Sequence, residues 1–184
     1  MMDELIYELG VYLNKTQTQE LKIIIKNLFN NDLTNIELTS SSGLSVVIID
    51  KTNIKNIYQY YLSISTYEKV KNNVKRLNEM NIQGFVKAYS FDDELRLIKY
   101  QRIVPIIENQ FDIFKLKNDV FKILLEMKNN NISHGDLTLD NIGFDLEGEK
   151  YLLYDFETLT FDTTPKQSND LYTFLKSINF RLGS

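Results

Sequence analysis

His134-Gly135-Asp136-Leu137-Thr138-Leu139-Asp140-Asn141 is the stretch on which the reading turns, and Asp155-Phe156-Glu157 follows fourteen residues after Asn141. The first places a carboxylate, Asp136, five residues before a carboxamide, Asn141. The second brings in another carboxylate, Asp155, at the end of the apolar run Lys150-Tyr151-Leu152-Leu153-Tyr154, which reads as a short buried strand. These are hard oxygen donors from two neighbouring segments. They suit Mg²⁺, which keeps several waters and phosphate oxygens and asks for only one or two carboxylate-type ligands. Transfer of a phosphoryl group from ATP needs such an ion and, in addition, an acceptor for the proton of the attacking hydroxyl. Asp136 is assigned the proton, and Asn141 and Asp155 the metal. The competing reading makes Asp136, Asp140 and Asn141 turn formers in a polar loop and Asp155 the cap of a strand.

The H-x-D-x-x-x-x-N pattern followed by D-F-E resembles the catalytic and metal loops of the protein-kinase-like superfamily. HGDLT is similar to the Rio kinases and to the kinase subunit of the complex that makes threonylcarbamoyl-adenosine in tRNA. The DFE ending is closer to the aminoglycoside, choline and lipopolysaccharide-core sugar kinases. The resemblance is tight over residues 134 to 157 and loose over the rest of roughly 35 to 180. It implies an α+β, bilobal fold with a reduced, strand-rich small lobe over residues 1–104 and a truncated helical large lobe over 105–184. It also implies that His134 is structural and bonds the metal-loop backbone, and that Asp170 ties the catalytic loop from below. Gly135 stands where regulated protein kinases carry an arginine that grips a phosphorylated loop. Thr138 replaces the lysine found near the γ-phosphate in ordinary serine/threonine kinases, as Ser or Thr does in Rio-like proteins.

Composition bounds the alternatives. A chain of 184 residues with 43% hydrophobic content is large enough to bury a core and small for a kinase. A net charge of −4 gives no general attraction to nucleic acid or to an anionic membrane. With no cysteine and one histidine there is neither a disulfide framework nor a zinc site of thiolates and imidazoles. No apolar run reaches the roughly 20 residues that cross a bilayer, and Met1-Met2-Asp3-Glu4 is unlike a signal peptide. The expectation is a soluble, cytoplasmic protein.

Along the chain, residues 3–13 and 17–30 carry helical apolar spacing, the second behind a Thr16 or Thr18 cap. Leu21-Lys22-Ile23-Ile24-Ile25-Lys26 also suits a strand. Ile36-Glu37-Leu38-Thr39 and Leu44 to Lys51 read as a hairpin across Ser40-Ser41-Ser42-Gly43. By the resemblance Gly43 would sit over phosphates, although the turn has no GxGxxG. Lys51 resembles the lysine of the V-A-I-K strand, with Lys55 and Lys26 as rivals. Residues 54–81 read as helix, broken near Ser63 to Thr66 where Thr66 is a cap, with Tyr67, Val70, Val74, Leu77 and Met80 on one stripe. Glu68, or else Glu79, is the expected ion-pair partner of Lys51.

Phe85 to Phe91 and Leu95 to Tyr100 form a second hairpin, and an extended segment runs into Pro105; the resemblance implies that this segment is the hinge and that Tyr100 to Arg102 line the nucleotide pocket. Residues 113–129 form a helix with Phe114, Val120, Phe121, Ile123, Leu124 and Met127 on its apolar side, and Phe144 to Tyr154 a strand pair that delivers Asp155. Two functions compete. One is an ATP- and Mg²⁺-dependent kinase acting on a hydroxyl of a protein or a small molecule. The other is a pseudokinase that keeps the fold and works by contact, suggested by the poor glycine turn and by Thr138. The short large lobe leaves room for a protein partner that completes it.

Overall fold

The computed structural model describes residues 2–9, 12–30, 32–41, 43–106, 111–161 and 167–182. The chain is mixed α and β and divides into two compact units, Met1–Lys71 with Lys87–Arg102, and Asn72–Val86 with Ile103–Ser184.

The first unit is built on an antiparallel five-stranded sheet, β1 (Ile36–Ser41), β2 (Ser45–Asp50), β3 (Asn56–Tyr61), β4 (Ala88–Asp92) and β5 (Leu97–Gln101), in the order β1-β2-β3-β5-β4. Helices α1 (Met2–Tyr7) and α2 (Lys15–Phe29) precede it. The ambiguous run 21–26 is helix: Leu21, Ile24 and Ile25 are fully buried at helical spacing while Ile23 is exposed, a pattern no strand produces. They pack with Val46, Ile48 and Tyr60 from one face of the sheet. The cap is Asn14, which forms a capping box with Gln17, and neither Thr16 nor Thr18 serves.

A second correction concerns residues 54–62, which the sequence reads as helix. Asn56-Ile57-Tyr58-Gln59-Tyr60-Tyr61 is the central strand β3, with Val47 opposite Gln59 and Tyr58 opposite Lys99. Its alternation sends Tyr60 to the α2 side and Tyr61 to the other, where the Tyr61 and Tyr100 hydroxyls lie 3.0 Å apart. Aromatic residues with period two suit a sheet between two packed faces better than a helix. Helix α3 (Ile64–Glu79) starts only after this strand, with Ser63 Oγ accepting from the Thr66 amide at 3.1 Å. Its buried apolar residues Tyr67, Val70, Val74 and Leu77 belong to the expected stripe, whose fifth member, Met80, is half-buried and follows the helix. The division between the units falls inside this helix, after Lys71.

The second unit contains α4 (Ile113–Asn129), α5 (Gln167–Leu182) and a small antiparallel sheet, β6 (Val104–Pro105), β7 (Ile142–Asp145) and β8 (Lys150–Leu153). Residues 84–86 run beside β8: Leu153 donates to Gly84 O at 2.8 Å and Val86 donates to Leu153 O at 2.9 Å. That backbone pairing explains why Asn72–Val86 belongs with this unit rather than with the strand-rich one. The stripe of α4 is Leu116, Val120, Ile123 and Met127; Phe114, expected on that side, is 83% exposed. Spacings of four, three and four residues fix the buried face, and Phe114 falls opposite it. Among the described residues no helix is long and apolar enough to cross a membrane.

Candidate active site

All of the central residues singled out in the sequence lie in the second unit, on the loop between α4 and β7 and at the end of β8. The loop is short and tied down at its base. Asp170 of α5, 1% exposed, accepts from the Gly135 amide at 2.9 Å, the His134 amide at 2.8 Å and Ser133 Oγ at 2.9 Å. One carboxylate thus satisfies three donors that burial would otherwise leave without partners, and it fixes the backbone entering Asp136. The role expected of Asp170 is the one these contacts give it.

Gly135 has a structural explanation that the sequence did not supply. Its φ is +85°, and a Cβ there would lie 2.8 Å from the Thr158 carbonyl oxygen. Only glycine fits that backbone and that approach.

Beyond Gly135 the chain turns sharply. The Thr138 amide donates to Asp136 O at 3.0 Å, and Leu139–Asn141 forms a 3₁₀ turn. This turn brings Asn141 back onto Asp136: Asn141 Nδ2 donates to Asp136 O at 2.8 Å and to Asp136 Oδ2 at 3.2 Å. Both acceptors require the amide nitrogen on that side, so Asn141 Oδ1 is turned away from Asp136. Asn141 is buried, and Asp136 is exposed.

The end of β8 is pinned to the same loop from two directions. The Tyr154 amide donates to Asn141 O at 3.0 Å, and the Tyr154 carbonyl is bonded to His134 Nε2 at 2.9 Å. A carbonyl can only accept, so Nε2 carries the proton and Nδ1, buried without a partner, does not. His134 stacks on Phe85 with their planes 6° apart. It is fully buried, which suits a structural part and leaves it no exposed nitrogen for proton transfer. Next in the chain stands Asp155 with φ +65°, a left-handed conformation that is costly for a residue with a Cβ.

Asp136, Asn141 and Asp155 are thereby held by one hydrogen-bonded frame. The donor set fits magnesium: one amide oxygen and carboxylates, all hard ligands. Among the described residues no group of three or more His, Cys, Asp and Glu is arranged to hold a metal ion. An ion bound by Asn141 and Asp155 would take its other ligands from phosphate and water.

Compared with solved structures, the chain is similar to the Rio2 kinase of Chaetomium thermophilum, crystallised as an ADP/Mg²⁺-phosphoaspartate complex, with a TM-score of 0.61 and 12% identity over 88% of this chain and 60% of that one. It is also similar to the bifunctional kinase-methyltransferase WbdD, with a TM-score of 0.56 and 10% identity over 80% of this chain and 36% of that one. The fold is protein-kinase-like. No family model and no curated protein matches the sequence. This kinase-like chain spans less than two thirds of the length of either structure.

The other residues proposed for the nucleotide all lie in the first unit except Thr138. Lys51 follows β2 in an exposed turn, its Nζ 3.2 Å from Glu37 Oε2. Glu68 instead pairs with Lys71, 2.9 Å from its Nζ, and Lys71 also reaches Asp93 at 2.9 Å. The structure therefore does not bring Lys51 and Glu68 together. A whole strand separates Lys51 from α3, and the six residues of that strand include no lysine. Gly43 has φ +71° in the exposed β1–β2 turn, and a Cβ added there would meet nothing within 4 Å. Tyr100 is buried on Tyr61, and Arg102 Nη1 donates to the main-chain carbonyls of Asn53 at 2.7 Å and Asp50 at 3.2 Å. Thr138, half-buried, opens the 3₁₀ turn and makes no capping bond through its side chain.

The sequence reading also missed residues of the frame. Thr158 Oγ1 donates to His134 O at 2.7 Å, and Asn73 Nδ2 donates to Phe156 O at 2.8 Å and Leu159 O at 3.2 Å. Nothing in Lys71-Asn72-Asn73-Val74 separates Asn73 from any solvated helix residue.

Proposed function

We propose that this protein is an ATP- and Mg²⁺-dependent phosphotransferase that moves the γ-phosphate to a hydroxyl, with Asp136 as the proton acceptor and Asn141 and Asp155 as the metal ligands. The observation that supports the proposal is the pair of bonds from Asn141 Nδ2 to Asp136, which leaves Asn141 Oδ1, the oxygen we assign to the metal, turned away from the carboxylate we assign to the proton.

In the reaction the hydroxyl oxygen bonds to the γ-phosphorus, the bond from that phosphorus to the bridging oxygen breaks, and the hydroxyl proton passes to Asp136. Magnesium, when bound, neutralises the phosphate oxygens. Asn141 contributes by orienting: its amide hydrogen on Asp136 Oδ2 leaves the other carboxylate oxygen for the substrate. Asp170 and His134 hold the main chain on either side, so the geometry is built before substrate arrives.

The HGDLT loop supports a serine hydroxyl on a protein as the acceptor, in the manner of an atypical serine/threonine kinase. The DFE ending supports a sugar- or choline-type alcohol. Transfer of labelled γ-phosphate, measured in parallel on a peptide mixture and on a panel of sugars and choline, separates the two. In either case Asp136→Asn is expected to lower the rate by at least about a hundredfold, the usual contribution of a positioned acid–base group, and Asp155→Asn to lower it by weakening the hold on the metal. Variants as fast as the parent protein would remove the proposal.

A second reading, a nucleotide-binding module with little or no transfer, is favoured by one observation: β3, the strand that leads into α3, has no lysine for the α- and β-phosphates. It predicts binding of Mg-ATP with label transfer at background on every acceptor.

A further inference from the structure

We propose that Asn73 is a positioning residue that clamps the metal loop and keeps Asp155 in its left-handed conformation; toward the metal the inference rests on the function proposed above. The backbone before Asp155 is anchored by His134 Nε2 on the Tyr154 carbonyl, at 2.9 Å. The backbone after it turns two carbonyls, Phe156 O and Leu159 O, toward α3, where a single side chain receives both: Asn73 Nδ2 has two hydrogens and lies 2.8 and 3.2 Å from them. An amide nitrogen is the one group at this position that can donate twice without carrying a charge.

The reason a clamp is needed lies in Asp155 itself. A residue with a Cβ at φ +65° lies in a sparsely populated backbone region, and such a conformation persists only where its surroundings over-determine it. The Glu157 amide lies 3.4 Å from Asp155 Oδ1. Thr158 bonds the catalytic loop through His134 O, and Thr160 pairs with Ser133 through two backbone bonds of 2.8 and 2.9 Å. Those contacts hold the far end of the segment. Between Asp155 and Thr158 Asn73 bonds the Phe156 carbonyl, beside the packing of Phe156 on Phe85, and loss of that bond is expected to loosen the peptide that follows Asp155. The clamp comes from helix α3, so the metal loop is set by a residue more than eighty positions away in the chain.

The test compares the parent protein with Asn73→Ala, Asn73→Asp and Asn73→Gln. Asp is nearly isosteric and turns an acceptor toward two acceptors; Gln restores the donor on a longer arm. Amide hydrogen exchange of residues 155–160 without metal or nucleotide reads the loop directly. Exchange there is expected to rise at least tenfold in the Ala and Asp variants and to recover in part with Gln, while the amides of α4, α5 and β1 to β5 keep their protection, which shows that both units remain folded. Manganese titration in the presence of ADP is expected to need at least tenfold more metal for half-saturation in the same two variants. Unchanged exchange at 155–160 in both Ala and Asp variants overturns the clamp. Absence of manganese-ADP binding to the parent protein overturns the nucleotide reading instead, and the exchange measurement then decides the clamp alone. Should the Asp variant fail to fold, the Ala variant carries the test.

Discussion

At the scale of the residue, the candidate site depends on a few side chains whose replacement has calculable consequences. Gly135→Ala would place a Cβ 2.8 Å from the Thr158 carbonyl at a φ of +85°, combining a clash with a left-handed backbone. A loss of roughly 2 kcal/mol or more is expected, larger than the usual cost of a substitution at a compatible position; urea denaturation measures it. Asp170→Asn is the second. The amide can accept on one side only, so its hydrogens face either the Gly135 amide, which bonds Oδ1, or the His134 amide and Ser133 Oγ, which bond Oδ2. We expect a loss of about 2–4 kcal/mol, since buried donors are left unpaired, together with faster amide exchange at His134 and Gly135. A stable Asp170→Asn protein with protected loop amides would refute the role assigned to Asp170. Both residues were open to a sequence reading only through the resemblance of the loop, because a glycine and an aspartate in a polar stretch otherwise indicate turns and solvent.

At the scale of the element, the sheet of the first unit is fastened by buried phenols. Tyr60 bonds Glu20 of α2, where Arg96 also reaches, and Tyr67 of α3 bonds Asp93 Oδ1 at 2.6 Å. Burial first, and then the bond to a carboxylate, pushes both phenols well above the ordinary tyrosine range. A raised folded-state value means that the unfolded chain loses these protons first. The stabilisation is therefore complete below about pH 10, the value of a free phenol, and is lost as the pH rises above it. Urea midpoints should hold between pH 7 and 9 and fall above 10, and Tyr67→Phe should make that fall shallower; an unchanged slope would exclude Tyr67 as a contributor. The helix α2 offers a second test. Leu21 is fully buried among the residues that cover the sheet, and Leu21→Ala is expected to cost about 2–5 kcal/mol in a denaturation experiment, the range for large-to-small core changes.

At the scale of the whole molecule, the units are discontinuous in sequence, and this has a consequence for fragments. The loop-bearing unit takes in Asn72–Val86 as well as Ile103–Ser184. The shorter piece supplies Phe85, stacked on His134, and the backbone of Gly84 and Val86 beside β8. A fragment 105–184, the large lobe as the sequence divides it, is expected to show no amide protection at His134 to Asn141, whereas the full chain protects them; protection in the fragment would mean that residues 72–86 are dispensable. The sequence alone determined the local chemistry: the spacing of Asp136, Asn141 and Asp155, the span of α4, and the apolar stripe of α3, because motifs and helical periodicity are local properties of the chain. It misread Asn56–Tyr61 as helix, since an aromatic run becomes a central strand only when β2 and β5 flank it. Only the tertiary structure could decide that Lys51 pairs with Glu37, that Glu68 pairs with Lys71, and that Asn73 reaches two carbonyls of the segment after β8. Those contacts join residues whose separation along the chain carries no information about distance, and an amide or an ammonium in a polar helix looks alike in sequence whether it meets water or a backbone carbonyl.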